Sequence, residues 1–156
     1  MVDINQVCDY IIFRLKVEGE GQLSHLKLQK LLYYVQAWSL AFGKGAFFDG
    51  KFQAWVHGPV NRTVYNRFKD SKYMYSSINT SDMFEQDIVN KLSVEAKKHI
   101  DSVLEVYAGY SDTELEGKTH SERPWIEARN DFEPFERCEV ELDEEIMKVY
   151  YKARLK

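Results

Sequence analysis

The amino-acid sequence predicts a mainly α fold: a single compact helical domain over residues 1–156 with one small β-hairpin. Apolar residues recur at helical spacing through most of the chain, whereas the alternating pattern of a strand is confined to a short stretch near Phe52. Hydrophobic residues make up 44% of the chain and aromatic residues 14%. This composition supports a substantial core and excludes a disordered protein.

The first helix is predicted to begin at Asp3, because Asp3 and Gln6 have the spacing of a capping box. Its apolar face would consist of Ile4, Val7, Ile11 and Leu15. The next helix is predicted to follow Ser24, and its main apolar stripe is Leu28, Leu31, Val35, Trp38 and Phe42. Further apolar residues widen this stripe well beyond one face, so we expect a buried, central helix.

A β-hairpin is predicted with its turn at Asp49-Gly50, a dipeptide typical of two-residue turns. Its second strand alternates, and the residues of one face would be Phe52, Ala54 and Val56. The residues of the other face would be Gln53, Trp55 and His57. Pro59 is predicted at the first position of the following helix, because its fixed φ suits a helix start.

Five further helices are predicted, with start signals at Asp82, Ser93, Ser111, Pro124 and Asp143. In the helix after Asp82 the apolar residues are Phe84, Ile88 and Leu92. In the last helix, the residues expected to face the core are Ile146, Val149, Tyr150 and Ala153.

The sequence contains no motif of a known catalytic or cofactor site. It has no phosphate-binding glycine loop, no dinucleotide fingerprint and no nucleophile elbow. Cys8 and Cys138 lie far apart, and none of the four histidines belongs to a metal signature. A His120 base oriented by Glu122 is the one catalytic alternative. We predict a protein without enzymatic activity, cofactor or bound metal.

Charge is unevenly distributed along the chain. Residues 1–75 carry ten Lys and Arg against six Asp and Glu, whereas residues 76–156 carry eleven against nineteen. Eight of the acidic residues lie in residues 131–145, here called the acidic segment. This segment is either a solvated surface or a docking surface for a basic partner. Its candidate partner-binding residues are Glu136, Glu139, Glu141 and Glu144.

A second candidate surface surrounds the Gly58-Pro59 step, and its residues are Trp55, His57, Arg62 and Tyr65. Tryptophan, tyrosine and arginine are preferred anchors of protein interfaces. Nucleic-acid binding by the basic stretch after Pro59 is the alternative. The sequence pI of about 5.6 and the lack of a helix-turn-helix pattern argue against it. We therefore expect a protein partner and no nucleic acid.

No apolar run reaches the roughly 18 residues that a membrane-spanning helix needs. The first ten residues carry Asp3 where a secretory signal has Lys or Arg. We expect a cytoplasmic protein that is not inserted in a membrane.

Three stretches resemble the Panacea domain, the family of SocA-like antitoxins and phage-associated GepA-type proteins: Leu26 to Phe42, Phe52 to Phe68, and Thr119 to Trp125. The resemblance implies a small protein that binds and neutralises a toxin encoded by the adjacent gene, by covering the active or substrate-binding surface of that toxin. It also leaves two alternatives. One is an adaptor that delivers the toxin to a cytoplasmic protease, and the other is a regulatory protein of a phage or mobile element.

Overall fold

In the computed structural model, which describes residues 1–19 and 21–155, the helices and strands follow in this order: α1 (Ile4–Ile12), α2 (His25–Ala41), β1 (Gln53–Trp55), β2 (Gly58–Val60), α3 (Arg62–Phe68), α4 (Val94–Tyr107), α5 (Asp112–His120), α6 (Arg123–Ala128) and α7 (Glu144–Lys152). A π-helical turn, Phe13–Val17, continues α1. The prediction of a mainly α fold with one small β-hairpin is confirmed.

Helix α2 lies at the centre of the molecule, and 16 of its 17 residues are buried. It begins at Ser24, whose hydroxyl accepts a hydrogen bond from the Lys27 N–H at 3.1 Å. Helices α1, α4, α5 and α7 all pack against it. A single hydrophobic cluster contains residues from α1 to α5 and from α7, and Trp125 and Ala128 of α6 pack against it. The prediction of a central core helix is confirmed.

Buried polar side chains of α2 hold the loop and the hairpin that follow it. The Gln36 side-chain carbonyl accepts the Phe47 N–H at 2.7 Å, and its amide group donates to the Phe48 carbonyl at 3.0 Å. Six residues earlier on the helix, the Lys30 ammonium group donates to the Pro59 carbonyl at 2.9 Å. Because buried polar groups need partners, these bonds fix where the chain passes over α2.

The β-hairpin lies further along the chain than the sequence predicts. Strands β1 and β2 pair in antiparallel register around a two-residue turn at Val56-His57, so the predicted turn at Asp49-Gly50 is wrong. The backbone groups of Phe47 and Phe48, which would form the first strand of the predicted hairpin, are hydrogen-bonded elsewhere. They bond to the Gln36 side chain and to Val2, which forms an isolated parallel bridge with Phe48. These tertiary bonds override the local turn preference of Asp49-Gly50.

Pro59 lies in β2, so its predicted place at a helix start is also wrong. Helix α3 begins at Arg62, and the Asn61 side chain accepts the Val64 N–H at 3.1 Å as its N-cap. Gln29 of α2 accepts the Asn61 N–H at 2.8 Å. The start of α3 is therefore set by a cap residue and by a buried side chain of α2.

The helix predicted after Asp82 is replaced by two 3₁₀ turns, Thr80–Asp82 and Ile88–Asn90. Between them, the buried Asp9 carboxylate accepts the N–H groups of Phe84 and Glu85 at 3.2 and 3.0 Å. Because the chain turns here towards Asp9 on α1, it does not continue as a helix.

The other predicted helix starts are confirmed by their caps. Ser93, Ser111 and Asp143 each accept N–H groups of the following turn, and Ser111 forms the capping box with Glu114. Pro124 lies in the first turn of α6.

The buried face of α7 differs from the predicted one. The sequence predicts Ile146, Val149, Tyr150 and Ala153 in the core, whereas the buried residues are Met147 and Tyr151. The Tyr151 hydroxyl donates to Glu122 at 2.8 Å and lies 3.1 Å from the Tyr33 hydroxyl. These polar contacts favour the orientation that buries Tyr151, and they leave Val149 49% exposed.

We expect Gly58→Ala to lower the free energy of unfolding by about 2–4 kcal/mol, measured by urea denaturation. Gly58 has a φ of +99°, and an added Cβ would lie 2.7 Å from Thr119 Oγ1 and 2.8 Å from Lys30 Cε. Gly109→Ala is the control, because its Cβ would meet no atom within 4 Å. That variant should change the stability by less than about 1 kcal/mol. Equal losses in both variants would contradict the argument.

Candidate partner-binding site

A cleft of about 370 Å³ opens between the hairpin, the start of α3 and the acidic segment; we call it the hairpin cleft. Its aromatic lining residues are Trp55, Tyr65 and Phe135, and its charged lining residues are Arg62, Arg137 and Glu139. His57 also lines it. Every member of the second candidate surface predicted from the sequence therefore lies at this cleft.

The Arg62 guanidinium group contacts both the Trp55 ring and the Tyr65 ring of the cleft. Its guanidinium carbon lies 4.8 Å from the centroid of the Trp55 ring and 5.7 Å from that of Tyr65. The two rings meet edge to face at 4.8 Å. The guanidinium group also donates hydrogen bonds to the Glu139 carboxylate and, at 3.4 Å, to the Gln53 side chain. Cation–π and ionic contacts together hold the Arg62 side chain in one place.

The acidic segment reaches the cleft because residues 140–142 run beside β1. The Ala54 N–H donates to the Val140 carbonyl at 2.8 Å. This pairing places Glu139 against Arg62. The two candidate surfaces, separate in the sequence, thus meet at the Arg62–Glu139 ion pair.

Two of the four predicted acidic residues are already neutralised within the chain. Glu139 pairs with Arg62 and, at 3.0 Å, with Arg137. Glu144 pairs with Lys51 at 2.5 Å. The arginine contacts lower the pKa of Glu139, the Arg137 contact contributing most. These two carboxylates are less available to a basic partner than the sequence suggests.

Arg129 holds the acidic segment in position, and sequence reasoning did not identify it. It is only 5% exposed, and its guanidinium group donates to the backbone carbonyls of Ala54 and Glu133, both at 2.8 Å. It also donates to the Glu136 carbonyl at 2.5 Å. The Glu136 side chain accepts the Glu133 N–H at 3.1 Å, so it is occupied locally. Glu141 has no ion-pair partner among the described residues.

His57 of the hairpin turn and His120 of α5 both lie near the carboxylate of Glu116. The Nδ1 atom of His57 lies 3.5 Å from Glu116, and the Nε2 atom of His120 lies 3.9 Å from the same carboxylate. The His120 ring stacks on Trp125 at 4.1 Å, and burial lowers its pKa. Because Glu122 bonds to tyrosine hydroxyls instead, the His120–Glu122 pair of the catalytic alternative is not formed.

Lys30 supports the hairpin from the inside of the molecule. Its side chain is fully buried, and desolvation lowers its pKa to about 7, an effect that the nearby Glu116 carboxylate opposes. On the other side of the hairpin, the Trp125 indole N–H donates to the Trp55 carbonyl at 2.8 Å. Side chains from α2 and α6 therefore fix the backbone on which Trp55 and His57 are mounted.

Within residues 1–19 and 21–155, no group of three or more His, Cys, Asp and Glu residues could hold a metal ion. Over the same ranges, no helix has both the length and the apolar character needed to cross a membrane.

A family model described as "Antitoxin SocA-like, Panacea domain" matches residues 28–126, which is more than half of the chain. The chain belongs to this family. The match includes most of α2, the hairpin and helices α3 to α5, and it confirms the resemblance seen in the sequence. Comparisons with curated proteins and with solved structures gave no significant match. Helices α1 and α7 lie outside the matched residues of this Panacea domain.

We expect the stability of the protein to rise with pH above about pH 7 because of Lys30. Its pKa is about 7 in the folded chain and ordinarily 10.5. Between these values the unfolded chain binds the extra proton, so the free energy of unfolding increases by up to about 1.4 kcal/mol per pH unit. Below about pH 7 both states are protonated, and this contribution is constant.

The measurement is urea denaturation of the native chain and of Lys30→Met across this pH range. Subtracting the two stabilities cancels the other titrating groups. The difference should grow by about 2 kcal/mol in favour of the native chain between about pH 7 and about pH 9. A difference that does not change with pH would mean that Lys30 keeps its charge in the folded protein.

Proposed function

We propose that this Panacea-domain protein is an antitoxin that neutralises a co-encoded toxin by direct stoichiometric binding and catalyses no reaction. Membership of the SocA-like antitoxin family supports an antitoxin role. We propose further that the whole of residues 1–156 acts as one unit, because α1 and α7 supply core residues around α2.

The observation that carries the proposal is the composition of the hairpin cleft. Tryptophan, tyrosine and arginine dominate the binding energy of protein interfaces when they lie together in a concave site. Trp55, Tyr65 and Arg62 lie together here, and Arg62 is held by its neighbours before any partner arrives. Side chains that are already ordered lose little conformational entropy on binding, which favours a stable complex.

The rim of the cleft presents two strongly exposed side chains, Phe135 and Arg137. Phe135 is 89% exposed, and the Arg137 side chain is 83% exposed although it pairs with Glu139 at 3.0 Å. A protein partner could bury the Phe135 ring and could accept hydrogen bonds from the Arg137 guanidinium group through a carboxylate or carbonyl oxygen. Inhibition would then be steric, because the toxin surface covered by the cleft and its rim would be closed to substrate.

The first test is co-expression of the chain with the product of its adjacent gene, followed by affinity purification and a growth assay. Neutralisation predicts a stable complex of defined stoichiometry, restored growth and an unchanged or raised amount of toxin. A shortened toxin half-life would favour the proteolytic adaptor instead. Absence of both complex and rescue would contradict the proposal.

We expect Arg62→Ala and Tyr65→Ala each to weaken the complex by about tenfold or more while leaving the melting temperature nearly unchanged. Arg14→Ala is a matched control. The Arg14 side chain is 38% exposed against 39% for Arg62, and both arginines pair with carboxylates. The control should bind within about twofold of the native chain. Parallel losses of affinity and melting temperature would assign Arg62 and Tyr65 a structural role.

A further inference from the structure

A second concave surface, of about 380 Å³, lies between α6 and α7; we call it the α6–α7 groove. Its apolar lining is provided by Pro124 and Ala128 from α6, by Phe132 and Val140 from the connecting chain, and by Ile146 from α7. Val140 is 43% exposed, so part of this apolar lining is in contact with solvent.

The outer face of α7 extends this apolar lining. Ile146 and Val149 are three residues apart and lie on the face that the sequence predicts to be buried, yet the core is filled by Met147 and Tyr151. Val149 is 49% exposed. The next residue of this face, Tyr150, is covered by the Arg154 guanidinium group at 3.4 Å from its ring. The helix therefore has an inner apolar face buried in the core and an outer apolar face, on which Ile146 is half-buried along the groove and Val149 is exposed.

The groove is also negatively charged. Its ten lining residues include four carboxylates and no Lys or Arg. Glu127 pairs with Arg123, and Asp143 accepts N–H groups as the cap of α7. Asp131 and Glu141 take part in none of the ion pairs of the described residues. Their charge is thus available to a ligand, and it disfavours anionic ligands such as nucleic acid.

We propose that the α6–α7 groove binds an amphipathic helix of the partner protein, with apolar residues on one face and Lys or Arg beside them. An apolar groove between two helices takes a helix through residues spaced three and four apart, and acidic rims select a basic one. Helix α7 has nine residues and is about 13 Å long, so about two turns of the partner would fit along it.

This inference rests on the proposed function, because it assigns the helix to the toxin that the chain neutralises. It differs from the hairpin cleft in chemistry. The cleft presents arginines and aromatic rings, whereas the groove presents carboxylates, two of them outside any ion pair of the described residues, around mainly aliphatic side chains. The two surfaces can therefore be tested separately within one complex.

The test begins with photo-crosslinking in the complex of the full chain and the adjacent gene product. A benzophenone amino acid replaces Val149 in one variant and Val106 in the other. Val106 is the control, an exposed valine on α4 that lines a different apolar patch. We expect crosslinks from position 149 to a toxin segment with apolar residues at helical spacing and adjacent Lys or Arg. Crosslinking from position 106 alone, or to an acidic segment, would overturn the inference.

A charge-reversal pair provides an independent measurement. Asp131→Lys combined with Glu141→Lys should weaken the complex by about tenfold or more and flatten its dependence on salt concentration. The control combines Glu95→Lys with Glu105→Lys, which changes the net charge equally at exposed positions on α4. It should bind within about twofold of the native chain. Circular dichroism checks that both variants fold.

The outcomes separate the two proposals. If the native complex forms and restores growth but the Asp131 and Glu141 variant binds normally, the groove inference fails and the antitoxin function stands. If the native chain forms no complex, the proposed function fails, and the groove inference fails with it.

Discussion

The arrangement of this protein depends on the need to satisfy polar side chains on a helix that is buried nearly all round. The side chains of Gln29, Lys30 and Gln36 on α2 are fully buried. A polar group that is buried without a hydrogen-bond partner destabilises the fold. All three find partners in the backbone of residues 47–61. These bonds determine where the loop and the hairpin cross α2, and consequently where Trp55 and Arg62 are presented.

A second set of bonds joins the basic first half of the chain to its acidic second half. Arg129 holds residues 133–136 against β1 through carbonyl contacts, and Glu139 forms an ion pair with Arg62. Part of the charge asymmetry seen in the sequence is therefore cancelled inside the protein. Two carboxylates outside the ion pairs of the described residues, Asp131 and Glu141, lie in the groove between α6 and α7 and not at the hairpin.

Features encoded by neighbouring residues could be predicted from the sequence, whereas features decided by distant contacts could not. Caps such as Ser24 and Ser111 were identified correctly because they bond within one turn. The turn at Asp49-Gly50 was wrong because Gln36 engages the preceding backbone. Both faces of α7 are apolar, and only the distant partners of the Tyr151 hydroxyl distinguish them. The cleft was predicted only in part for the same reason. Trp55, Arg62 and Tyr65 are close in sequence and were identified, whereas Phe135 and the supporting Arg129 reach the hairpin only through the fold.

Neighbouring positions of helix α7 differ in how strongly the core restricts their side chains. Its inner residues, Met147 and Tyr151, are four apart and belong to the core around α2, although they lie outside the residues that the family model matches. Its outer residues, Ile146 and Val149, contribute nothing to that core. Substitutions at the outer positions should therefore cost less stability than substitutions of the inner pair. A duplicated copy of the gene could acquire a new partner through a few changes along this helix while its fold stayed the same.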